Sequence, residues 1–287
     1  MLNFYEEIRA GKQYNKIRIG NLLFAEYTCP IKAQTADIWS HTDYLVHVIS
    51  GKKVWHTTEG AFSAEAGETL FFKKGASVIE QFFDADFCLL LFFIPDDVVR
   101  NVVKEYAGDV QGPSVPGRSI GCALKVNTDA ALSVFFQSMA AYFSKSDIPS
   151  APLVKLKLKE LILSILVSNR NKQLASYFRS LTLNPSPNIG EIMEENYRFN
   201  LSLEEYAELC HRSVSSFKRD FRKHFGNTPG KWILKKRLEY SAVLLRNDPM
   251  NVSQIAFESG FEDVSHFSRA FKAQFGRTPS EFRLSKK

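Results

Sequence analysis

The chain has 287 residues, 45% of them hydrophobic and 24% charged, which supports about two soluble globular domains, each with its own buried core. Its four cysteines, Cys29, Cys88, Cys122 and Cys210, are scattered with no C-x-x-C spacing, which suggests neither a cysteine zinc cluster nor a disulfide framework and fits a reducing cytoplasm. The net charge of +6 is a first, mild pointer to a nucleic-acid partner.

Taken in chain order, Met1 to Ala10 is polar and carries Glu6 and Glu7, unlike a secretory leader. From about Lys16 to Pro95 the pattern predicts short strands at Ile17–Tyr27, Tyr44–Ile49, Lys53–Thr57, Thr69–Phe72, Ser77–Phe83 and Phe87–Ile94. These runs are rich in Val, Ile, Phe and Thr, and turn pairs such as Ser50-Gly51, Glu59-Gly60, Gly67-Glu68 and Lys74-Gly75 separate them. Many short strands at close spacing predict a β-barrel or sandwich. The longest apolar run, Phe87–Pro95, is far too short to span a bilayer. The period then changes. Asp129–Ser144 and Pro152–Ser168 carry apolar residues at helical spacing, the second interleaving Leu153, Leu156, Leu161, Ile165 and Leu166 with Lys155, Lys157, Lys159 and Glu160. Pro185 and Pro187, set among small polar residues, predict a linker and a domain boundary near residue 186.

Beyond that boundary the chain repeats itself. The stretch Val214 to Pro229 recurs about fifty residues later as Val264 to Pro279, with matched Val, Ser, Phe, Arg, Gly, Thr and Pro positions. Ser213 and Asp263 are suited to cap helices that start at Val214 and Val264. Val214, Phe217, Phe221 and Phe225 share one face of the first helix; Val264, Phe267, Phe271 and Phe275 share one face of the second. Gly226 and Gly276 supply the stops, with Pro229 and Pro279 just beyond. The opposite faces carry Ser215, Ser216, Lys218, Arg219, Arg222 and Lys223 in the first copy, and Ser265, His266, Ser268, Arg269 and Lys272 in the second. Hydroxyl, ammonium and guanidinium groups are the donors that reach base edges and phosphates. Between His211 and Arg237 stand about nine Lys or Arg and one acid, Asp220, whose place inside the first helix leaves open whether it faces away from DNA or discriminates between bases.

A shorter helix precedes each of these. Ser202 to Glu205 is a capping-box pattern opening the first, and Val252 to Ser259 forms the second. Small Ala207 and Ala256 suit the close crossing of a helix-turn-helix, and Gly260 can take positive φ in the turn, where the first copy has His211. Between the two copies Lys231–Arg246 keeps a helical period around Trp232, Leu234, Leu238, Ala242 and Leu245. At 1.5 Å per residue it spans roughly 24 Å. Such a spacer suits two recognition helices held about one DNA turn, ~34 Å, apart.

The segment from about Ile189 to Arg283 resembles the DNA-binding domain of the AraC family of bacterial regulators. The residues that carry the resemblance are Ile255, Ala256, Gly260, Phe261, Phe267, Ser268, Arg269, Phe271, Lys272, Gly276, Thr278, Pro279 and Arg283. The resemblance implies a seven-helix domain with a helix-turn-helix at each end, no cofactor, and no enzymatic activity. It implies base contacts from Ser215, Lys218 and Arg219 in one helix and from Ser265, His266, Ser268 and Arg269 in the other. Arg222, Lys223, Lys235, Lys236 and Arg237 fit solvent or phosphate better than bases. The fold expected is a two-domain α+β chain: a cupin-like β-barrel over 1–120, amphipathic pairing helices over 121–182, a linker over 183–188, and a DNA-binding domain over 189–287 with helix-turn-helix motifs at 203–225 and 252–275.

His41, His47 and His56 in the strand region invite a metal reading, and the region Asp43 to Glu80 resembles the cupin-type barrel of many AraC-family sensor domains. The cupin ligand set is broken, because there is no His-x-His and Glu80 stands near the place of the last histidine. The aromatic side chains there (Phe24, Trp39, Tyr44, Trp55, Phe71, Phe82 and Phe92) suit a core or the wall of a ligand pocket. The partners expected are double-stranded promoter DNA, RNA polymerase and a second copy of the chain, with no membrane. The N-terminal half also resembles regulators of type III secretion genes, so the signal is either a small-molecule effector or a sequestering protein. The competing class is an enzyme, either a metal-dependent cupin or a cysteine-based DNA-repair protein fused to the same helices. The first needs a complete ligand set and the second an activated cysteine.

Overall fold

The computed structural model describes residues 1–28, 33–82, 86–108, 120–144, 149–183 and 186–284. Cys29, the end of the expected strand at Phe83, and the Asn184-Pro185 part of the expected linker lie outside the described residues. The chain divides into two compact units, Met1–Pro187 and Asn188–Lys287.

In the first unit the elements run β1 (Leu2–Asn3), α1 (Phe4–Ala10), β2 (Asn15–Ile19), β3 (Leu22–Thr28), β4 (Thr35–Ser40), β5 (Asp43–Ser50), β6 (Lys52–Thr57), β7 (Gly60–Glu65), β8 (Thr69–Phe72), β9 (Gly75–Gln81), β10 (Cys88–Ile94), α2 (Asp96–Glu105), β11 (Ala123–Val126), α3 (Ala130–Phe143), α4 (Ala151–Val167) and α5 (Lys172–Ser180). The single strand expected over Ile17–Tyr27 is a hairpin, β2 and β3, turning at Gly20, which takes φ +60°. Sequence periodicity missed β1, α1, β4, β7, α2, β11 and α5.

The expected barrel holds only as a mixed α+β unit with two β-layers. One sheet runs β1-β4-β9-β6-β7 and the other β11-β8-β5-β10-β3-β2, so these strands do not close into one hydrogen-bonded ring. The chain changes sheet between β5 and β6 at Gly51, φ +76°, and again between β7 and β8 at Gly67, φ +85°. Ile38, Trp55, Ala64 and Ile79 from the first sheet share a core with Leu23, Tyr44, Val46, Phe72, Leu91 and Phe93 from the second. The second sheet is buried on its other face too, where Phe24, Leu45, Phe71, Leu90 and Phe92 join Leu132, Phe135, Phe136, Leu158, Leu161 and Phe178 of α3, α4 and α5. That double burial explains the unbroken apolar run of β10: Leu89, Leu91 and Phe93 point into one core, Leu90, Phe92 and Ile94 into the other.

Polar groups pin the helices to this sheet. Lys74 Nζ donates to both oxygens of Asp96 at 2.6 and 2.5 Å, and Tyr177 Oη donates to Asp43 Oδ2 at 2.7 Å. Asp43 is fully buried, and that burial pushes its carboxyl above the usual range against the nearby Lys74 charge.

The second unit is all helical: α6 (Ile189–Asn196), α7 (Leu203–Leu209), α8 (Val214–Phe225), α9 (Pro229–Asn247), α10 (Val252–Glu258), α11 (Val264–Phe275) and α12 (Pro279–Leu284). α9 opens on Pro229, whose missing N–H costs nothing at a first helical position. Its 19 residues span roughly 28 Å, longer than the spacer read from periodicity.

Candidate nucleic-acid interface

Two helix pairs, α7–α8 and α10–α11, are built by the same local chemistry. Each opens on a capping box. The Ser202 hydroxyl accepts from Glu205 N while the Glu205 carboxylate accepts from Ser202 N; Asn251 and Gln254 do the same for α10. The Asn251–Gln254 pattern was present in the sequence and went unread. Ser213 caps α8 through Ser216 N, and Asp263 caps α11 through the amides of Ser265 and His266, which hold its carboxyl below the usual range. α8 and α11 end on left-handed glycines, Gly226 at φ +65° and Gly276 at φ +74°.

The turns are equivalent but not identical. Arg212 N donates to Ala207 O at 2.9 Å in the first, and Phe261 N to Ala256 O at 3.0 Å in the second. Just before these residues His211 takes φ +52° and Gly260 takes φ +89°. Among the described residues His211 is the one non-glycine at positive φ, so the first turn carries a strain that Gly260 spares the second. The second turn has one residue more, Glu262, ahead of its cap.

The phenylalanine faces pack inward. Phe217 and Phe221 are fully buried, Tyr206 stacks on Phe217 at 6.3 Å, and Phe225 packs on Trp232 at 5.0 Å. In the second pair Phe267 and Phe271 are fully buried, and Phe275 packs on Phe282 at 5.5 Å. Trp232 and Phe282 stand in matching places, one turn past the matching Pro229 and Pro279, so the repeat extends further than its sequence motif. Truncating such a buried phenylalanine to Ala costs about 3–5 kcal/mol. Ala207 and Ala256 are buried where the short helices cross the long ones, as small side chains there require.

With one face committed to the core, the other is left to solvent. Ser215, Lys218, Arg219, Arg222 and Lys223 are exposed on α8, while Ser216 is half-buried with its amide in the cap. Ser265, His266, Arg269 and Lys272 are exposed on α11, and Ser268 is half-buried. The last turn of α8 carries Arg222, Lys223 and His224, charges that also suit a helix C-terminus. Asp220 lies at the edge of that face. Its carboxylate accepts from Arg219 Nε at 3.2 Å and from Arg212 Nε at 3.2 Å, and the two guanidinium groups hold it below the usual carboxylate range. Arg212 is in turn tied to the turn by a 2.8 Å bond to Cys210 O. Sequence reasoning missed Arg212, because nothing local marks its side chain as the partner of a residue two helical turns away.

Three of the cations grouped with phosphate contacts are engaged elsewhere. Lys235 lies near Glu239 at 3.7 Å, and Lys236 pairs with Glu194 at 2.6 Å over the Trp232 ring. Arg237 is no surface group: it is partly buried and donates to backbone carbonyls. A helical wheel shows only the Lys235–Glu239 pair, which lies within α9; the partners of Lys236 and Arg237 come from other segments.

In the first unit the three histidines are scattered. His47 stacks flat on Phe136 at 4.0 Å and bonds Thr69 Oγ1 through Nδ1 at 2.9 Å; burial lowers its pKa to about 4. His56 pairs with Glu80 at 2.8 Å, and His41 packs against Tyr5. Among the described residues no group of three His, Cys, Asp or Glu could hold a metal ion. Burial pushes the Cys210 thiol up to about 12, the reverse of what a nucleophile needs.

Two capped helix pairs, each with an inward aromatic face and an outward basic one, define a DNA-binding protein of the double helix-turn-helix class. Comparison with known families agrees: residues 43–177 match the ExsA N-terminal regulatory domain, and residues 206–285 match a helix-turn-helix domain. The chain is 27% identical over 219 residues to the virulence regulon transcriptional activator VirF of Yersinia enterocolitica, covering 76% of this chain and 80% of that protein. The thermoregulatory protein LcrF of Yersinia pestis matches to the same extent. The transcriptional regulator ExsA of Pseudomonas aeruginosa is 31% identical over 109 residues, 38% of this chain and 39% of that one. Among solved structures, ToxT from Vibrio cholerae aligns with 92% of this chain and 98% of its own at 15% identity and a TM-score of 0.40. The chain therefore joins an ExsA-type N-terminal regulatory domain to a helix-turn-helix domain, the make-up of an AraC-type DNA-binding transcriptional regulator.

Proposed function

We propose that α8 and α11 are the reading helices and enter successive major grooves on one face of promoter DNA at an asymmetric or direct-repeat site. Ser215, Lys218 and Arg219 read bases in one groove, and Ser265, His266, Ser268 and Arg269 in the next. Ser216, Arg222, Lys223 and Lys272 hold the flanking phosphates. The observation that supports this reading is the division of each helix into a buried phenylalanine face and an exposed basic one. Arg219 or Arg269 changed to Ala costs about 1–3 kcal/mol of specific binding and relaxes preference at one base pair. Unaltered affinity of both variants for a promoter site selected by the wild-type protein would refute the assignment.

The first unit receives the signal, from a small molecule or from a sequestering protein, and its helices between residues 121 and 182 pair two copies in the cytoplasm. The exposed apolar side chains Val134, Leu156 and Val167 on α3 and α4 support a pairing role. Its two-layered β-architecture, a cupin-like sensor, supplies the frame. RNA polymerase is the downstream partner of the bound activator. A metabolite thermal-shift screen beside a pull-down of partners separates the two kinds of signal. Sedimentation of the purified chain tests the pairing.

A further inference from the structure

Two reading units on one chain select a composite site only if their separation is held. α9 supplies length, but a helix alone does not fix what is attached at its two ends. Arg237, midway along α9, makes both attachments. Its Nε donates to Tyr197 O at 2.7 Å and its Nη2 to Phe199 O at 2.8 Å, both in the segment that leads from α6 into α7. Its Nη1 donates to Gly260 O at 2.5 Å, in the turn of the second helix pair.

Independent contacts close the same junction. Arg198, from the same α6–α7 segment, donates to Tyr240 Oη of α9 at 2.7 Å and to Glu258 of α10 at 2.7 Å. Gly260 lies so close that a Cβ there would stand 2.3 Å from Arg198 O and 2.9 Å from Arg237 Nε. A rigid guanidinium fork serves three carbonyls at fixed angles, which the single ammonium of lysine does not. A partly buried cation with its carbonyl partners in place resists rearrangement, since any movement leaves hydrogen-bonding groups unpaired.

We propose that Arg237 is a positioning residue that sets which half-site spacing the protein accepts. It joins the entrance of the first helix-turn-helix to the turn of the second, so the two reading helices move as one body. DNA of a different spacing must then be twisted or bent to fit. One base pair changes the separation by about 3.4 Å and the rotation by about 35°. The inference rests on the reading assignment above only in requiring that both helix pairs touch DNA.

The test uses the full-length protein and a duplex that the wild-type protein selects from a random pool. Footprinting maps the two half-sites, and one base pair is inserted or deleted between them. Wild type is expected to lose about tenfold or more in affinity on each altered spacing, the range set by DNA deformation. Arg237→Met is expected to bind a lone half-site as wild type does and to narrow the spacing penalty to within about threefold. Arg237→Lys, which keeps the charge but not the fork, is expected to fall between them. A wild-type protein indifferent to spacing overturns the proposal. So does a folded Arg237→Met protein with the wild-type order of spacings, or one that loses lone half-site binding as strongly as full-site binding. Loss of the helical unit in both variants makes Arg237 a stability residue and overturns it too. Selection of no duplex at all sinks the reading assignment itself, and this inference with it.

Discussion

Gly260→Ala is the substitution whose cost the structure specifies most closely. At φ +89° an alanine carries a strain of about 1–3 kcal/mol. Its Cβ would also meet Arg198 O at 2.3 Å, a backbone atom that cannot rotate aside. The α6–α7 segment must therefore shift, and the Arg237 bonds to Tyr197 O, Phe199 O and Gly260 O lengthen together. Hydrogen bonds to a charged group contribute about 1.5–3 kcal/mol each, so losing even one brings the total to about 2.5–6 kcal/mol. For a domain of this size that lowers the melting temperature by about 10 °C or more. Gly226→Ala is the control, because Gly226 has φ +65° and open space around its missing Cβ, leaving the strain alone. The assay is hydrogen exchange of peptides from α10 and α11 in the full-length protein, with the thermal transition of the helical unit alongside. If both substitutions cost the same within about 0.5 kcal/mol, the close approach at Gly260 has no energetic weight and the reasoning fails.

Two further outcomes are expected. His47 is half-buried against Phe136 with its pKa lowered to about 4, so the unfolded chain, near 6.5, binds its proton first. Stability is then complete above about pH 6.5 and falls with acid down to about pH 4, by at most about 1.4 kcal/mol per pH unit and less for a ring with partial solvent access. His47→Asn should flatten that part of the pH–stability profile; an unchanged slope in urea titrations would assign it to another group. Asp220→Asn replaces one of the two carboxylate oxygens that accept from Arg212 and Arg219 with an NH2 donor, and removes the negative charge beside Arg219. Affinity for non-specific DNA should rise while the specific-to-non-specific ratio falls about fivefold or more, read by competition binding at fixed salt. A ratio that stays at the wild-type level would show that Asp220 does not orient Arg219.

Much of the helical unit could be read in advance because its signals are local. Ser213, Asp263, Gly226 and Gly276 act within one turn of their own helix, and the phenylalanine spacing repeats at the helical period. The first unit was harder to read. β4 and β7 lack the alternation of a half-buried strand, and β10 shows no alternation at all because both its faces are covered. The expected barrel came from counting strands, but whether strands close a ring depends on partners far apart in the chain. The same limit applied to the basic residues. Lys236 and Arg237 look like neighbours on a cationic helix, yet one reaches Glu194 and the other three carbonyls from two other segments.

The amino-acid order alone therefore settled the existence, caps and polarity of α8 and α11, and with them the chemistry of their exposed faces. Local rules suffice for that, since an N-cap, a left-handed stop and an apolar stripe each involve residues within a few turns of one another. The folded chain decided which cations remain free for DNA, how Asp220 is shared between two arginines, and how the two helix pairs are joined. Those depend on long side chains reaching across elements, and burial and partner geometry, unlike periodicity, do not exist until the elements have packed.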